Sequence, residues 1–242
     1  MRGVAFHGNS VAEVVDYPDI DPGPEQVLIK LRSSGLCGSD LARYRDDSPN
    51  EHNGQLMRPG HEPCGEIVAL GPNVTGLSVG DRIIQHHYEG CRECDYCLTG
   101  WQQLCAVTEK KLYYGGSMHG GHGDYMVAHQ STCVTLPDEV TFEVGAYLAC
   151  GASTAFQALK KLEVSGRDTL AVFGQGPVGL AATMFGKEMG ARIIAVDVSP
   201  ERLDMASDSG AWITVNASAG DAPEQIKELT GGHGADATLE AA

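Results

Sequence analysis

The chain has 242 residues, 42% of them hydrophobic, and a formal net charge of −15 at pH 7. A surface that negative repels a phosphate backbone, which argues against a nucleic-acid partner, and no apolar run is long enough to span a bilayer. The opening Met1-Arg2-Gly3-Val4 lacks the charged-then-apolar pattern of a secretory signal, so a cytoplasmic protein is expected. In that compartment eight cysteines read as metal ligands or catalytic groups rather than as disulfides.

The first 150 residues read as β-rich. Short apolar runs at 26–31 and 66–70 are bounded by turn chemistry at Pro22-Gly23-Pro24, Gly71-Pro72-Asn73 and Val79-Gly80-Asp81. Frequent short strands with Gly/Pro turns predict a small barrel-like β domain over 1–150. The character changes near Cys150. The pattern predicts a helix over 152–162, a strand buried on both faces at Thr169–Phe173, and a helix over 178–189 stopped by Gly190. A second buried strand is expected at Arg192–Asp197. Ser199-Pro200 then reads as an N-cap followed by proline at the first helical position. Further strands are expected at 212–215 and 235–240. Alternating strands and helices imply a parallel α/β sheet over 151–242. About four strands are found where a doubly wound dinucleotide domain usually has six, so a partial domain with an unfinished sheet edge is expected.

Two groups of residues carry metal chemistry. Cys91, Cys94, Cys97 and Cys105 stand at spacings that let a turning loop bring four thiolates to one ion. Four soft ligands with no open position suit a closed structural zinc site. Two disulfides, or an iron–sulfur cluster, are the weaker readings. Cys37, His61 and Cys150 are scattered and only three. Three protein ligands plus an open position is how zinc is held when it does chemistry. Each of them alone reads as a core or loop residue.

A glycine loop follows at Gly174-Gln175-Gly176-Pro177-Val178-Gly179, between a predicted buried strand and a helix. That context lets the helix N-terminus meet a pyrophosphate. Asp197 ends the next strand, 23 residues on. A carboxylate there accepts from ribose hydroxyls and repels a 2′-phosphate, favouring NAD over NADP. Arg202 lies within reach of the same ribose.

The stretch Gly60-His61-Glu62-Pro63-Cys64-Gly65, continuing to Gly71 and Val74, resembles the signature of zinc-containing alcohol dehydrogenases of the medium-chain dehydrogenase/reductase superfamily. The Cys91–Cys105 lobe (90–105) resembles that family's structural zinc loop. The resemblance runs along the whole chain in order: Cys37, the Gly-His-Glu, the lobe, the Gly120-Gly121 to Tyr125 segment, Cys150, then the nucleotide loop. It implies a GroES-like β-barrel catalytic domain followed by a partial Rossmann domain, two zinc ions per chain, and NAD. It also implies roles. Cys37, His61 and Cys150 hold the catalytic zinc, and Glu62 is a carboxylate able to join them. Asp40 orients His61, and Ser39 takes the alcohol's proton. Gly174, Gly176, Pro177, Val178, Gly179, Asp197 and Arg202 hold the cofactor. The implied reaction is reversible hydride transfer between an alcohol or polyol and NAD, by a homodimer or homotetramer, with this chain a C-terminally truncated piece.

One departure stands out: relatives carry a proton-relaying histidine five residues after the first ligand cysteine, and this chain has Ala42 there, followed by Arg43. His52 is an alternative relay or an exposed loop residue. His86 and His87 read as loop or pocket-wall residues that point to different sides if the segment is extended. His119 and His122 receive the same reading. The rival functions are a metal-free reductase of the same superfamily, a zinc-binding interaction module and an inactive fragment. The cysteine and histidine set argues against the first, and the nucleotide loop against the second.

Overall fold

In the computed structural model, which describes residues 1–242, the two stretches of different sequence character form separate units, Met1–Cys150 and Gly151–Ala242. The first unit opens with β1 (Arg2–Gly8) and β2 (Val11–Asp16), an antiparallel hairpin turned at Asn9-Ser10. β3 (Gln26–Ser34) leads into α1 (Gly38–Arg45). A small hairpin of β4 (Glu51–His52) and β5 (Gln55–Leu56) precedes β6 (Pro63–Leu70) and β7 (Arg82–Gln85). Then come β8 (Tyr88–Glu89), the single turn α2 (Asp95–Leu98), β9 (Leu112–Tyr113), β10 (Tyr125–His129), β11 (Cys133–Thr135) and α3 (Phe142–Tyr147).

Five of these strands make one antiparallel sheet in the order β10-β3-β6-β7-β11. The period-2 alternation of β3 puts Val27 and Ile29 inward at 0% exposure and Lys30 outward. They pack with Ile67, Ile83 and Met126, all fully buried. Each such side chain removed from water contributes about 1.5–3 kcal/mol.

The register of this sheet positions the site. Ser34 at the end of β3 faces Pro63 at the start of β6, and Gly35 N–H donates to the Glu62 carbonyl at 3.1 Å. The chain therefore leaves β3 and enters β6 at the same end of the sheet. Cys37, three residues past β3, and His61, two residues before β6, become neighbours although 24 positions apart. The β3–β6 register shifts once between Leu28/Ile29, near the start of β3, and again between Leu31/Ser33, just before that end.

The second unit contains α4 (Ser153–Lys161), β12 (Thr169–Phe173), α5 (Pro177–Glu188), β13 (Arg192–Asp197), α6 (Pro200–Asp208), β14 (Ile213–Asn216), α7 (Ala222–Leu229) and β15 (Ala237–Glu240). Its four strands are parallel in the order β14-β13-β12-β15. Leu170, Ala171, Val172, Ile193, Ile194, Ala195 and Val196 are at most 1% exposed, as both-face burial of β12 and β13 requires. Ser199 caps α6, its Oγ accepting from Arg202 N–H at 3.3 Å, with Pro200 at the first helical position. The helix expected over 152–162 begins instead with a π-type turn, Leu148–Ala152, before α4. That turn carries Cys150, and π turns gather at functional positions.

Candidate metal centres and nucleotide loop

Cys37 is the residue before α1, in extended backbone, and its N–H donates to Asp40 Oδ2 at 3.0 Å. The other carboxylate oxygen of Asp40 lies 3.2 Å from His61 Nδ1, both side chains being buried. With Nδ1 engaged, Nε2 of His61 faces the opposite way, where Ser39 Oγ lies 3.5 Å off. One ligand atom from each of Cys37, His61, Glu62 and Cys150 falls in a cluster whose members all lie within 4.8 Å of one another. The structure thus brings together the three scattered sequence candidates and the adjacent carboxylate expected beside them.

The charges in this cluster are mutually arranged. Hydrogen bonds from Cys150 and His61 hold the Cys37 thiol far below its ordinary pKa, against the opposing effect of burial. Burial alone would lower His61, but hydrogen bonds to Asp40 and Cys37 outweigh it and raise it. Burial, then the neighbouring Cys37 charge, pushes Glu62 up to about 7. Shifts of this kind, a thiol lowered beside a carboxyl raised, mark ionisable donors packed tightly around one point. Two sulfurs, one imidazole and one carboxylate form a donor set suited to zinc.

In the lobe, the sulfurs of Cys91, Cys94, Cys97 and Cys105 also lie within 4.8 Å of one another. Cys91 and Cys97 Sγ are 3.9 Å apart. Tetrahedral zinc with bonds of about 2.3 Å sets its sulfurs about 3.8 Å apart, so the spacing fits. Backbone N–H groups point at the sulfurs: Cys91 N–H to Cys105 Sγ at 3.3 Å, and Glu93 and Cys94 N–H to Cys91 Sγ at 3.4 and 3.3 Å. Such bonds favour thiolates. Cys94 falls to about 6 through the Ala106 and Cys97 backbone, and Cys105 is lowered through that of Cys91, whereas burial and then the other three sulfurs push Cys97 up to about 12, so the fourth negative charge needs a cation beside it.

The glycine loop closes β12 and opens α5. A Cβ on Gly179 would collide with the Gly174 carbonyl oxygen, so only glycine lets helix and loop approach this closely. A Cβ on Gly176 would meet nothing within 4 Å, leaving the backbone open at the helix N-terminus. Gln175, 1% exposed, pins the loop by donating Nε2–H to Val172 O at 2.9 Å and accepting from Thr183 Oγ1 at 3.0 Å. Asp197 Oδ2 accepts from Gln175 N–H at 2.6 Å, and Oδ1 from Val198 and Ser199 N–H at 2.7 and 2.9 Å. Burial works to raise Asp197, but these N–H groups and Arg202, 3.7 Å away, hold it below the usual carboxylate range.

His86 and His87 do not point to different sides. The chain bends between β7 and β8, and their ring centroids are 5.3 Å apart. His87 stands edge-on to His61 at 5.1 Å and to Tyr113 at 5.7 Å, with Tyr88 at 4.7 Å. His86 Nε2 and His87 Nδ1 are buried with no partner from the protein. Burial first, then the charge on His61, lowers His87 to about 3 and keeps it neutral. Tyr113, 6.0 Å from His61 by ring centroid, is a site neighbour that carries no local motif by which to single it out. His122 Nε2–H donates to Gly35 O at 3.0 Å and the ring packs on Gly60, clamping the two loops that present Cys37 and His61. Ala42 and His52 are exposed, and His52 lies on β4.

Comparison with known proteins agrees with this geometry. Residues 23–138 match the alcohol dehydrogenase GroES-like domain, and residues 177–242 match the zinc-binding dehydrogenase domain. The chain is 40% identical over 248 residues to an uncharacterized zinc-type alcohol dehydrogenase-like protein of Escherichia coli K12, covering 99% of this chain and 70% of that protein. It is 37% identical over 219 residues to an alcohol dehydrogenase of Geobacillus stearothermophilus, covering 90% of this chain and 63% of that one. Among solved structures, an alcohol dehydrogenase from Thermus sp. ATN1 superposes with a TM-score of 0.89 at 30% identity, over 100% of this chain and 70% of that chain. The chain thus spans roughly two thirds of the length of such relatives. With both halves matched in order and a 40% identical relative covered over 70% of its length, the chain belongs to the zinc-type alcohol dehydrogenases of the medium-chain dehydrogenase/reductase family.

Proposed function

We propose that this chain forms the zinc- and NAD-binding part of an alcohol dehydrogenase, which moves a hydride between an alcohol or polyol and NAD. The reading is carried by the convergence of Cys37, His61, Glu62 and Cys150 on one point, apart from a closed four-sulfur lobe. Cys37, His61 and Cys150 would hold one zinc, with Glu62 as a carboxylate able to join or leave them. The lobe would hold the second, in a structural role. Zinc at the first site supplies Lewis acidity that lowers the pKa of a substrate hydroxyl.

The chain's own residues do the rest. Asp40 fixes the tautomer and orientation of His61. Ser39 Oγ, beside His61 Nε2, receives the hydroxyl proton and passes it to water past the exposed Ala42. Gly176, Val178 and Gly179 present backbone N–H groups to the cofactor's pyrophosphate, while Gly174, whose N–H goes to Val196 O, makes the turn and Pro177, which has no N–H, sets the first helical position. A carboxylate offers about four acceptor positions, and backbone N–H groups take three on Asp197. One remains for a ribose hydroxyl, and the charge disfavours a 2′-phosphate, so NAD is the cofactor, with Arg202 alongside. By likeness to its relatives, the assembled enzyme is a homodimer or homotetramer.

The test is metal content per chain, with a parallel screen of alcohols and polyols for NAD reduction. Two zincs in the wild type and one in Cys37→Ser are expected. One zinc in both would remove the catalytic site and leave a metal-free reductase as the better account.

A further inference from the structure

On α1, Ser39 and Arg43 are four residues apart and so share a face, with Cβ atoms about 5–6 Å apart. Ser39 belongs to the site. Arg43 has no role in it so far, yet its guanidinium is held in place. Nη1 donates to Asn50 Oδ1 at 2.8 Å. Asn50 is 1% exposed, and its amide hydrogens go to Met57 O at 2.9 Å and Gly115 O at 3.2 Å. Its oxygen is thereby left pointing at Arg43, in a direction set by the core.

The other edge of the guanidinium lies beside Tyr113. A Cβ on Gly116 would sit 3.9 Å from Arg43 Nη2 and 2.7 Å from Tyr113 Cδ1, so the two side chains border the same glycine. The Tyr113 ring neighbours His61, and its hydroxyl feels the charges of Asp40, Arg43 and Cys150 together. Arg43 and the donor cluster thus share one neighbour. No carboxylate lies within 4 Å of Arg43; Arg45, Arg58, Arg92, Arg167 and Arg192 share that lack, and what sets Arg43 apart is its bond to the buried Asn50 on the helix that carries Ser39. A cation in the last turn of a helix suits the helix dipole. Arg45 serves that purpose without an anchor, and the dipole does not account for the bond to a buried asparagine.

We propose that Arg43 binds an oxyanion carried by the substrate, so that the alcohol taken by this site is an acidic one, a polyol phosphate or a hydroxy acid. This rests on the dehydrogenase reading above and narrows its substrate class. The remaining N–H donors of the guanidinium fork match a phosphate or carboxylate. The spacing from Ser39 sets the anion a few carbons from the reacting hydroxyl. His86 and His87, with buried ring nitrogens free of protein partners, and the Tyr88 and Tyr113 rings make the surroundings polar rather than greasy, which suits a hydroxylated chain.

The experiment uses zinc-loaded protein with sorbitol, sorbitol 6-phosphate and gluconate, in wild type, Arg43→Gln and Arg43→Lys. The wild type should prefer one acidic compound over sorbitol, and which one distinguishes phosphate from carboxylate. Arg43→Gln should lower the acid-to-neutral ratio of kcat/KM about 10- to 100-fold, the usual weight of a hydrogen bond to a charged group, and Arg43→Lys should restore part of it. An unchanged ratio with a raised KM for NAD would assign Arg43 to the cofactor's pyrophosphate and overturn the proposal. Equal loss on all substrates would make it a scaffold residue, with the same consequence. Calorimetric titration of sorbitol 6-phosphate and gluconate without NAD separates the two levels of inference. Arg43-dependent binding without turnover of any alcohol would sink the dehydrogenase reading alone. Turnover of neutral alcohols, with no Arg43-dependent binding of either acid, would sink this inference alone.

Discussion

Replacing Gly60 by alanine isolates how the backbone presents His61. Gly60 has φ +93°, and a Cβ there would overlap the His122 ring, reaching its Cγ at 2.7 Å and its backbone N at 2.8 Å. Two costs add. A left-handed backbone disfavours an L side chain by about 1–2 kcal/mol. Overpacking against a ring and a backbone atom, neither free to withdraw, costs about 1–3 kcal/mol more. The sum, roughly 2–5 kcal/mol, corresponds to a fall in midpoint of roughly 4–20 °C for a protein of this size. Gly54→Ala is the control, because Gly54 has φ +75° and a Cβ there meets nothing within 4 Å. It should show the backbone cost alone, about 1–2 kcal/mol. Trp101 is the sole tryptophan of the first unit, so fluorescence in a Trp212→Phe background follows that unit. Because His122 also bonds Gly35 O, the displacement should reach both loops and lower zinc content as well. If Gly60→Ala destabilised no more than Gly54→Ala and kept two zincs, the close packing of Gly60 on His122 would not be what presents His61.

Asp40→Asn keeps the shape but removes the charge facing His61 Nδ1, and should weaken zinc at the Cys37 site about 10- to 100-fold, measured by chelator competition, while the lobe keeps its metal. Equal loss from both sites would point to general destabilisation instead. Gly179→Ala places a Cβ into the Gly174 carbonyl, so α5 must move off the loop; NADH binding followed by fluorescence should fall at least about tenfold, since a missing hydrogen bond or two to a charged phosphate is worth that much. Binding at wild-type strength would refute the close-approach argument. Asp197 is held below its unfolded pKa of about 3.9, so the stability it contributes is present above that value and is lost as pH falls through its lower folded value. Trp212 fluorescence should show the second unit of Asp197→Asn to be less stable than wild type at pH 7, with a shallower loss below about pH 4. An identical acid limb in both proteins would show that Asp197 does not carry this dependence.

How much of this was legible in the sequence depends on how local each signal is. Thr169–Phe173 and Arg192–Asp197 were readable to the residue, because a strand buried on both faces is an unbroken apolar run and its ends are set by Gly174 and Ser199. The four-cysteine lobe was readable for the same reason: its spacing alone brings the sulfurs within reach of one ion. The second donor cluster was legible as a list but not as a place. Cys37 and His61 meet only through the β3–β6 register, and Cys150 arrives on a π-type turn where the apolar pattern suggests the start of an ordinary helix. The errors lie where period-2 reasoning was applied to residues outside a strand. His86 and His87 follow the last paired residue of β7, and the bend there turns both rings to one side.

Tyr113 and Arg43 show the remaining limit. Tyr113 reaches His61 because β9 pairs with β8, a contact of two residues per strand that no alternation could announce. Arg43 reads as a solvated last-turn cation by every local rule. What sets it apart is Asn50, whose two amide hydrogens are fixed by Met57 and Gly115, residues 7 and 65 positions away. A side chain's purpose is invisible in sequence when its orientation is imposed by a third residue, itself oriented by the core. The fold therefore states the general chemistry in local motifs, the cysteine spacing and the glycine loop. The features bearing on substrate choice, Arg43 and the ring wall of His86, His87, Tyr88 and Tyr113, are held by long-range contacts, so relatives that share every motif can still differ in the alcohol they take.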